Sequence, residues 1–319
     1  MTRSIIVGSN GQDGWFLNQH LHACDHDVWR LSRTSTIQPD NKTSAAINIL
    51  SDKSIENMIC DIQPQHIYFL AAIHHSSSDQ QINAADLQVS SKKIHVQALK
   101  NFLDAMAKHV PTARLFYAAS SHLFAGKTDP KPVCEDTKFA PLGIYAETKL
   151  QGVELCKEYR KSQNLYAVSG FLFNHESWRR DPRFLSRKIV QSVVNIFQGQ
   201  QSELTLHDLS AQVDWSFAGD TVRAMHLMLQ MDTPTDLVVA SGQLHSVKDF
   251  AQIAFEIIGL DWRDYVSEEP EEQQKPYPVK PLVGDASRLR SLTGWQPKVN
   301  FRQMIELMIE MELQVSGGG

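Results

Sequence analysis

Two side chains four residues apart, Tyr145 and Lys149, form the pattern with the plainest chemical use in this 319-residue sequence. Residues at positions i and i+4 lie on one face of a helix, so the phenol and the ammonium group are expected to lie together. A neighbouring positive charge favours the phenolate and should bring the phenol pKa from about 10 towards neutrality. Such a phenolate can accept the proton of a substrate hydroxyl. A pair of surface residues on a helix is the alternative interpretation.

Hydroxyl side chains follow a predicted strand upstream of this pair. The apolar strand pattern at residues 114–119 ends at Ser120 and Ser121, and Ser120 lies 25 residues before Tyr145. A hydroxyl at this point can hydrogen-bond the reacting oxygen of a substrate. The sequence therefore predicts a catalytic triad of Ser120, Tyr145 and Lys149.

A glycine-rich turn lies near the start of the chain. Its glycines recur at intervals of three, between a predicted strand at residues 4–7 and a predicted helix at 15–22. Closely spaced glycines let the backbone turn sharply and approach a pyrophosphate, whose charge is favoured at a helix N-terminus. This placement predicts a dinucleotide site that contains Gly8, Asn10, Gly11, Gln12, Asp13 and Gly14.

The residues after the second predicted strand, at 28–31, bear on which dinucleotide binds. Dinucleotide folds often place an acidic residue here to bind the ribose 2′-hydroxyl, whereas this chain has Arg33 and Ser35. A guanidinium suits a 2′-phosphate, so NADP is favoured and NAD is retained as the second option. A solvated surface arginine is the alternative interpretation of Arg33.

Strand and helix patterns alternate along the first half of the chain. The strand patterns cover residues 4–7, 28–31, 66–72 and 114–119, and helical patterns cover 15–22, 54–62 and 90–108. This alternation predicts right-handed βαβ units and an α/β fold with a doubly wound parallel sheet, the Rossmann arrangement. We expect an NAD(P)-binding domain over residues 1–175, to which 216–240 return. A smaller α/β substrate-binding subdomain is expected over 176–215 and 241–319.

Composition and charge exclude several classes of protein. The 31 Lys and Arg residues against 36 Asp and Glu leave a net charge of −5, which favours neither nucleic acid nor an anionic membrane as a partner. No apolar run reaches the roughly 20 residues that span a bilayer, and the first strand pattern begins too early for a signal peptide. The four cysteines show neither metal-ligand spacing nor disulfide density. We therefore expect a cytoplasmic protein with reduced thiols.

The order of glycine turn, strand-end serine and Tyr-x-x-x-Lys resembles the short-chain dehydrogenase/reductase superfamily in its extended form. Residues 171–180, which read Phe-Leu-Phe-Asn-His-Glu-Ser-Trp-Arg-Arg, are similar to a stretch of GDP-mannose 4,6-dehydratases. Further similar stretches are residues 11–14, 187–189, 214–215, 224–230 and 245–247. The similarity extends through nearly the whole chain, and the Asn-His-Glu-Ser motif is its most specific part.

The resemblance implies roles for residues at matching positions. Ser120 stands where the family has a catalytic Thr, Tyr145 where it has its base and Lys149 where it has the partner of that base. The positions implied for the cofactor are Arg33, Ser35, Asn48, Ile49, Leu70, Ala71, Ala72, His175 and Arg180, together with Tyr145 and Lys149. Asn174 and Lys188 match groups that hold the phosphates of a nucleotide sugar.

Four positions depart from the family's pattern. Where the family has Thr-Ser-Glu, residues 120–122 read Ser-Ser-His, so His122 replaces the acid/base that acts at C5 and C6 of the sugar. Imidazole titrates near pH 6.5 and can move these protons, although a packed or ligand-contacting histidine is the alternative. Val213 stands in place of an arginine, and Lys275 stands where an arginine precedes a proline. These changes bear on how the base and the diphosphate are held.

The resemblance implies an NADP-dependent nucleotide-sugar 4,6-dehydratase with a substrate like GDP-mannose. Oxidation at C4 would acidify the C5 proton, water would leave across C5 and C6, and hydride would return to C6. Two alternatives stay open, namely a C4 epimerase or 4-keto reductase without elimination, and a non-catalytic dinucleotide-binding protein. Related enzymes pack two helices against a twofold mate, so residues 90–108 and 145–161 imply a homodimer with a four-helix interface.

Overall fold

Two sheets and a short strand pair, with helices around them, make up the part of the protein that the structure describes. The computed structural model describes residues 1–41, 43–73, 83–269 and 280–316. The strands are β1 (Thr2–Val7), β2 (His26–Leu31), β3 (Ser35–Ile37), β4 (Thr43–Ala45), β5 (His66–Phe69), β6 (Arg114–Ala118), β7 (Tyr166–Leu172), β8 (Asn174–Glu176), β9 (Leu204–Leu206), β10 (Gln212–Phe217), β11 (Leu237–Val239), β12 (Leu244–Ser246) and β13 (Val266–Glu268). The helices are α1 (Gln12–Ala23), α2 (Asp52–Ile62), α3 (Ala84–Lys92), α4 (Leu99–His109), α5 (Gly143–Gln163), α6 (Leu185–Phe197), α7 (Ala218–Met228), α8 (Val247–Ile257), α9 (Ser287–Thr293) and α10 (Phe301–Ser316).

The main sheet has the strand order β11-β7-β6-β5-β1-β2-β3-β4. The six strands from β11 to β2 are parallel, and β3 and β4 continue the sheet with antiparallel pairing. Helices cover both faces, so the central strands are buried on both sides and read as apolar runs rather than alternating patterns. The predicted doubly wound α/β fold is confirmed, with an antiparallel extension that was not predicted.

A separate apolar core lies on each face of the main sheet. On one face, side chains from α2 and α4 such as Ile55 and Phe102 pack against the strands. On the other face, Leu17 of α1, Met225 of α7 and Leu289 of α9 form the second core. Burial of about 25 cal/mol per Å² of apolar surface on both faces holds the strand ends in place, and with them the loops at the sheet edge.

A smaller layer begins where β7 ends. β8 pairs in parallel with β10, β12 pairs antiparallel with β10, and β9 and β13 form a separate parallel pair. The helices α6, α8 and α10 enclose a third core around Trp215 and Phe250. The chain then returns to the main sheet, because Ala286, Leu289 and Trp295 belong to the second core. The predicted boundary at residue 241 leaves this returning segment out of the large domain.

Two predicted elements differ from the observed ones. The strand expected over residues 66–72 ends at Phe69, because the chain leaves the sheet to pass over the glycine turn. The single helix expected over residues 90–108 is divided into α3 and α4 by a π-helical segment, Lys93–Ala98. A π-helical turn contains more residues than an α-helical turn, so the side chains that follow it point in a different direction. Such segments often occur at functional sites.

The four cysteines are all free thiols. Cys156 is buried in the first core, whereas Cys24 and Cys60 are exposed. Within the described ranges, no helix is both long enough and apolar enough to cross a bilayer.

Candidate active site

Three segments that carry candidate residues meet at the carboxyl edge of the main sheet. The glycine turn follows β1, Ser120 follows β6, and His175 lies on β8, which continues from β7. Lys149 reaches the same edge from α5, since its Nζ donates to the carbonyl oxygen of Ala118 at the end of β6, 2.8 Å away. Ligands of open parallel sheets bind in crevices at this edge.

The three glycines of the turn have different surroundings. Gly8 has φ +95°, and a Cβ there would lie 2.9 Å from the amide nitrogen of Ala71. A Cβ on Gly14 would lie 2.6 Å from the carbonyl oxygen of Gly8, because α1 packs directly against the turn. A Cβ on Gly11, the N-cap of α1, would meet only the Gly8 oxygen at 3.6 Å, an ordinary contact. The backbone beside Gly11 is thus open, which fits a pyrophosphate that approaches the helix N-terminus.

The side chains of Gln12 and Asp13 fasten the glycine turn to β8. Gln12 Nε2 donates to the carbonyl oxygen of His175 at 2.9 Å, and Gln12 Oε1 accepts from Ser177 Oγ at 2.7 Å. His175 Nε2 lies 3.0 Å from both oxygens of Asp13, and its Nδ1 lies 2.7 Å from the carbonyl oxygen of Phe173. Both ring nitrogens face acceptors, so His175 carries two protons. Burial opposes this charge, but the Asp13 carboxylate raises the pKa of His175 above its usual value.

The Tyr145 phenol is half-buried at this edge. Burial raises the pKa of Tyr145 to about 12, while a hydrogen bond with Ser120 and the charge of Arg180 act in the opposite direction. The prediction that Lys149 brings this pKa towards neutrality is therefore wrong. The ammonium group lies 5.9 Å from the centre of the phenol ring and is directed at a backbone carbonyl instead.

Lys149 is 1% exposed. Burial lowers the pKa of Lys149 to about 7, although the nearby Asp13 carboxylate raises it. The Nζ atom also lies 5.0 Å from the centre of the Tyr117 ring. An ammonium group with this pKa is partly deprotonated at neutral pH, so it can exchange a proton when the charge on the phenol changes.

The imidazole of His122 lies against the phenol ring of Tyr145. The two ring centres are 5.8 Å apart and the planes are nearly perpendicular, at 86°. The backbone nitrogen of His122 donates to Ser120 Oγ at 3.2 Å, in a short 3₁₀ turn that Ser120 caps. His122 is exposed on one side, but the protein around its ring desolvates it and lowers the pKa of His122. The imidazole is therefore neutral at pH 7 and can accept a proton.

A buried histidine beside Tyr145 was not predicted. His95 lies in the π-helical segment and is fully buried. Its Nε2 accepts from the backbone nitrogen of Ile73 at 3.1 Å, so its Nδ1 carries the proton and donates to Thr148 Oγ at 2.8 Å. Its ring centre lies 5.6 Å from that of Tyr145. His95 thus joins the chain after β5 to α5, and no local spacing marks it because the π-helical turn decides where it points.

Arg180 approaches the site from the chain after β8. Its Nε lies 3.4 Å from the Glu176 carboxylate, and its guanidinium stacks 3.7 Å from the centre of the Phe184 ring. The positive charge of Arg180 acts against the rise in the pKa of Tyr145 and contributes to the lowered pKa of Asp13. Arg180 is therefore the charged group whose effect on the phenol most resembles the one expected of Lys149.

The buried carboxylate of Asp214 is a second feature whose role was not predicted. It accepts hydrogen bonds from the backbone nitrogens of Ser241, Gly242 and Gly284, and from Ser241 Oγ, at 2.6 to 3.1 Å. Burial raises the pKa of Asp214, although these donors act against the rise. One side chain thus ties β10 to the loops after β11 and before α9.

The remaining cofactor candidates lie in the segments of chain that follow β2, β4 and β5. Arg33 is exposed in the turn between β2 and β3, and Ser35 begins β3. Asn48 and Ile49 lie between β4 and α2, and residues 70–72 directly follow β5. Residues 70–72 lie at the glycine turn, since a Cβ on Gly8 would approach Ala71. Arg33 lies two residues after Leu31, whose carbonyl oxygen accepts from the backbone nitrogens of Gly8 and Ser9.

The structure describes two of the three candidate substrate residues. Asn174 is the first residue of β8 and lies at the carboxyl edge. Lys188 is exposed on α6, where its Nζ donates to the carbonyl oxygen of Thr205 on β9 at 2.9 Å. Lys275 lies outside the described residues.

Comparison with known proteins bears on what this edge is for. Residues 5–308 match the family model described as GDP-mannose 4,6 dehydratase. The chain belongs to the GDP-mannose 4,6-dehydratase family. GDP-mannose 4,6 dehydratase 2 of Arabidopsis thaliana is 35% identical to it, over 98% of this chain and 87% of the plant protein. The expected family is thus confirmed.

Solved structures share the fold of this member of the GDP-mannose 4,6-dehydratase family. RMD from Pseudomonas aeruginosa, solved with NADPH, superposes with a TM-score of 0.82 at 18% identity, over 99% of this chain and all of that one. UDP-glucose 4-epimerase from Thermus thermophilus, solved with NAD, has a TM-score of 0.79 at 19% identity, over 98% and 99% of the two chains. The fold is therefore common to proteins named as epimerases as well.

Proposed function

We propose that this chain is an NADP-dependent nucleotide-sugar 4,6-dehydratase whose substrate is GDP-mannose or a close analogue. The observation that carries the proposal is the convergence of Ser120, His122 and Tyr145 beside the glycine turn, in a chain of the GDP-mannose 4,6-dehydratase family. A dehydratase needs one group for the proton of the C4 hydroxyl and another for the proton at C5. Two side chains suited to these tasks lie against each other here.

The first task belongs to Ser120, Tyr145 and Lys149. NADP, when bound, supplies the hydride acceptor at C4 and the hydride donor at C6. Ser120 hydrogen-bonds the C4 oxygen, and Tyr145 takes its proton. Because the free phenol has a pKa of about 12, its phenolate depends on the hydrogen bond with Ser120 and on the charge of Arg180, both of which act to lower that pKa. Lys149, whose pKa is about 7, can exchange a proton as the charge on the phenol changes.

The second task belongs to His122. Its pKa is lowered, so the imidazole is neutral at pH 7 and accepts the proton from C5. Once protonated, an imidazole of lowered pKa is a stronger acid than an ordinary one. It then donates this proton to the C6 hydroxyl, which leaves as water. When hydride returns to C6, the proton that Tyr145 took from the C4 hydroxyl is the one available to restore the hydrogen at C5, so the net change is the loss of one water.

The glycine turn and its surroundings would hold the cofactor. The open backbone at Gly11 and the N-terminus of α1 would receive the pyrophosphate, while Gln12 and Asp13 hold the turn against β8. Arg33 and Ser35 would bind the 2′-phosphate that distinguishes NADP from NAD. The other proposed cofactor contacts are Asn10, Asn48, Ile49, Leu70, Ala71, Ala72, His175 and Arg180.

The nucleotide-sugar phosphates would be held by Asn174 at the carboxyl edge and by Lys188 and Lys275. Val213, which pairs with His245 in the smaller sheet, provides no charge where the family pattern has an arginine. We therefore assign the phosphates to Asn174, Lys188 and Lys275, and the panel of nucleotide sugars described below identifies the nucleotide base. In this arrangement, residues 1–175 and 216–240 form the cofactor-binding domain, and 176–215 with 241–319 form the nucleotide-sugar-binding subdomain. Asn174 and Arg180 lie next to the boundary between them and contact the ligand of the other part.

We also propose a homodimer through a four-helix interface made of α3, α4 and the segment between them with α5. Val89 on α3 is an apolar side chain that is 54% exposed, which suits a surface that a partner covers. A twofold dimer in light scattering at micromolar concentration is expected. A strictly monomeric species would contradict the proposed interface.

Mass spectrometry of the reaction product tests the proposed activity. The full chain is incubated with NADP and a panel of nucleotide sugars that includes GDP-mannose, and a product lighter by one water is expected. Tyr145→Phe is the control, since it should leave the substrate mass unchanged. A product of unchanged mass but altered stereochemistry would favour a C4 epimerase. A product whose mass differs from that of the substrate by two hydrogens would favour a 4-keto reductase. Cofactor binding without turnover of any sugar would favour a non-catalytic protein.

A further inference from the structure

A cluster of nitrogen and sulfur ligands lies at the opposite edge of the main sheet from the candidate active site. His20 and Cys24 lie at the end of α1, and His226 lies on α7, which packs against α1. One ligand atom from each of the three residues lies within 4.8 Å of the others. His26, the first residue of β2, and His66, the first residue of β5, place two more imidazoles beside them.

We propose that His20, Cys24 and His226 bind a divalent metal ion of the zinc class. Two imidazoles and a thiolate form a donor set that favours Zn²⁺ over Mg²⁺ and Ca²⁺, which prefer oxygen ligands. His20 and Cys24 are four residues apart, so their side chains lie one above the other on α1. His226 completes a three-residue site, and water or a fourth side chain would fill the remaining tetrahedral position.

The observed distances are close to those that a tetrahedral ion needs. His20 Nε2 lies 2.8 Å from His226 Nδ1, and Cys24 Sγ lies 3.9 Å from His20 Nε2. Bonds of about 2.0–2.1 Å to nitrogen and about 2.3 Å to sulfur set the ligand atoms about 3.3 Å and about 3.6 Å apart in a tetrahedron. The two imidazoles would have to separate by about 0.5 Å, and the sulfur would have to approach by about 0.3 Å. Small side-chain rotations suffice for both changes.

The two proposed ligand nitrogens already face each other. His20 Nε2 and His226 Nδ1 are hydrogen-bonded at 2.8 Å, so one of the two carries a proton. An ion that binds both would shift that proton to the other nitrogen of the same ring, because a metal coordinates an imidazole through an unprotonated nitrogen. His66 is 8% exposed, and its Nδ1 has no hydrogen-bond partner among the described residues. The cluster thus contains a buried imidazole nitrogen, His66 Nδ1, that makes no hydrogen bond within the described residues.

The position of this site determines what the ion would do. α1 has 12 residues and begins at the glycine turn, so its other end lies about 18 Å away. An ion at that distance cannot touch the reacting atoms. It would instead fasten the end of α1 to α7, two helices that are remote in sequence, and so hold the helix whose N-terminus faces the cofactor. The inference does not depend on the proposed dehydratase activity.

Cobalt(II) titration of the untagged, chelator-treated full chain tests the site, since a polyhistidine tag would itself bind metal. We expect one Co²⁺ per chain, with the near-ultraviolet band of a thiolate–cobalt bond, and displacement by Zn²⁺. Cys24→Ser should abolish this band, and His226→Gln should weaken binding by at least about tenfold, because even outer-shell changes cost that much. Zn²⁺ should also raise the Tm of the wild type and not that of Cys24→Ser.

Two matched variants separate this site from unspecific metal binding. His22→Gln changes an exposed histidine on the same helix, and Cys60→Ser changes an exposed cysteine on α2. Both should bind Co²⁺ like the wild type, with the same thiolate band. Absence of the band in the wild type would overturn the proposal. So would a band that Cys24→Ser retains, or binding that His226→Gln leaves unchanged in a protein with native circular dichroism.

Discussion

Replacement of Gly11 by alanine separates a glycine needed by a ligand from a glycine needed by the fold. A Cβ on Gly11 would meet only the carbonyl oxygen of Gly8, at 3.6 Å, and the φ of Gly11, −71°, suits any residue. The change reduces the freedom of the unfolded chain, which stabilises by about 0.4–1 kcal/mol. Alanine is a poorer N-cap than glycine, which costs a similar amount. The free energy of unfolding should therefore change by less than about 1 kcal/mol.

The same methyl group would occupy the space through which a pyrophosphate reaches the N-terminus of α1. Each charge-assisted hydrogen bond that is lost costs about 1.5–3 kcal/mol, which corresponds to about a tenfold to hundredfold weaker Kd for NADP. Gly11→Ala should thus lose cofactor affinity while it keeps its Tm. Fluorescence titration with NADPH and thermal unfolding of the ligand-free protein measure the two quantities.

Gly14→Ala is the matched control, because its Cβ would lie 2.6 Å from the Gly8 oxygen and 2.6 Å from the Cα of Ser9. Overpacking of this kind costs about 1–3 kcal/mol, and each kcal/mol lowers the Tm of a chain somewhat smaller than this by about 2–4 °C. Gly14→Ala should therefore destabilise the ligand-free protein. Unchanged NADPH affinity in Gly11→Ala would refute the assignment of the turn to a pyrophosphate. A loss of Tm in Gly11→Ala as large as in Gly14→Ala would refute the packing argument.

The remaining predictions concern proton transfer and cofactor choice. His122→Asn should reduce dehydration by about 10²–10⁴-fold while NADP affinity is kept, and full activity in this variant would place the C5 base elsewhere. Because the pKa of His122 is lowered, the activity of the wild type should fall on the acid side only below pH 6.5, as the imidazole gains its proton; a limb centred above that value would contradict the assignment. Arg33→Ala should reduce a preference for NADP over NAD by about tenfold to hundredfold, whereas Arg30→Ala, which removes an arginine already bonded to Asn41, should not. Equal affinity of the wild type for NADP and NAD would refute the role of Arg33.

Several features of this protein could be predicted because they depend on short stretches of chain. The glycine turn, the Tyr145 and Lys149 pair and the strand end at Ser120 are each set by residues within one turn or one strand. Apolar runs that alternate with helical patterns leave few ways to bury both faces of a sheet, so the doubly wound fold also followed. The resemblance to the dehydratase family added the roles of positions such as Asn174, which no local pattern marks.

The energetics of the site could not be predicted from spacing. The four-residue interval between Tyr145 and Lys149 places the two groups on one face of α5, but it says nothing of burial. Burial raises one pKa to about 12 and lowers the other to about 7, and the Lys149 ammonium is directed at a carbonyl oxygen. Desolvation depends on every element that packs around a group, so it is a property of the tertiary structure.

Contacts between distant parts of the chain were decided in the same way. His95 reaches Thr148 across 53 residues only because a π-helical turn rotates it inward. The cysteines show no metal-ligand spacing in the sequence, yet Cys24 lies beside His20 and, through it, beside His226, which is 206 residues away from His20. The sequence alone determined which local motifs exist and the order in which they occur. Which of them meet, and with what charge, was determined by the packing of α1 against α7 and of α5 against the sheet, because only burial brings such side chains together and removes them from water.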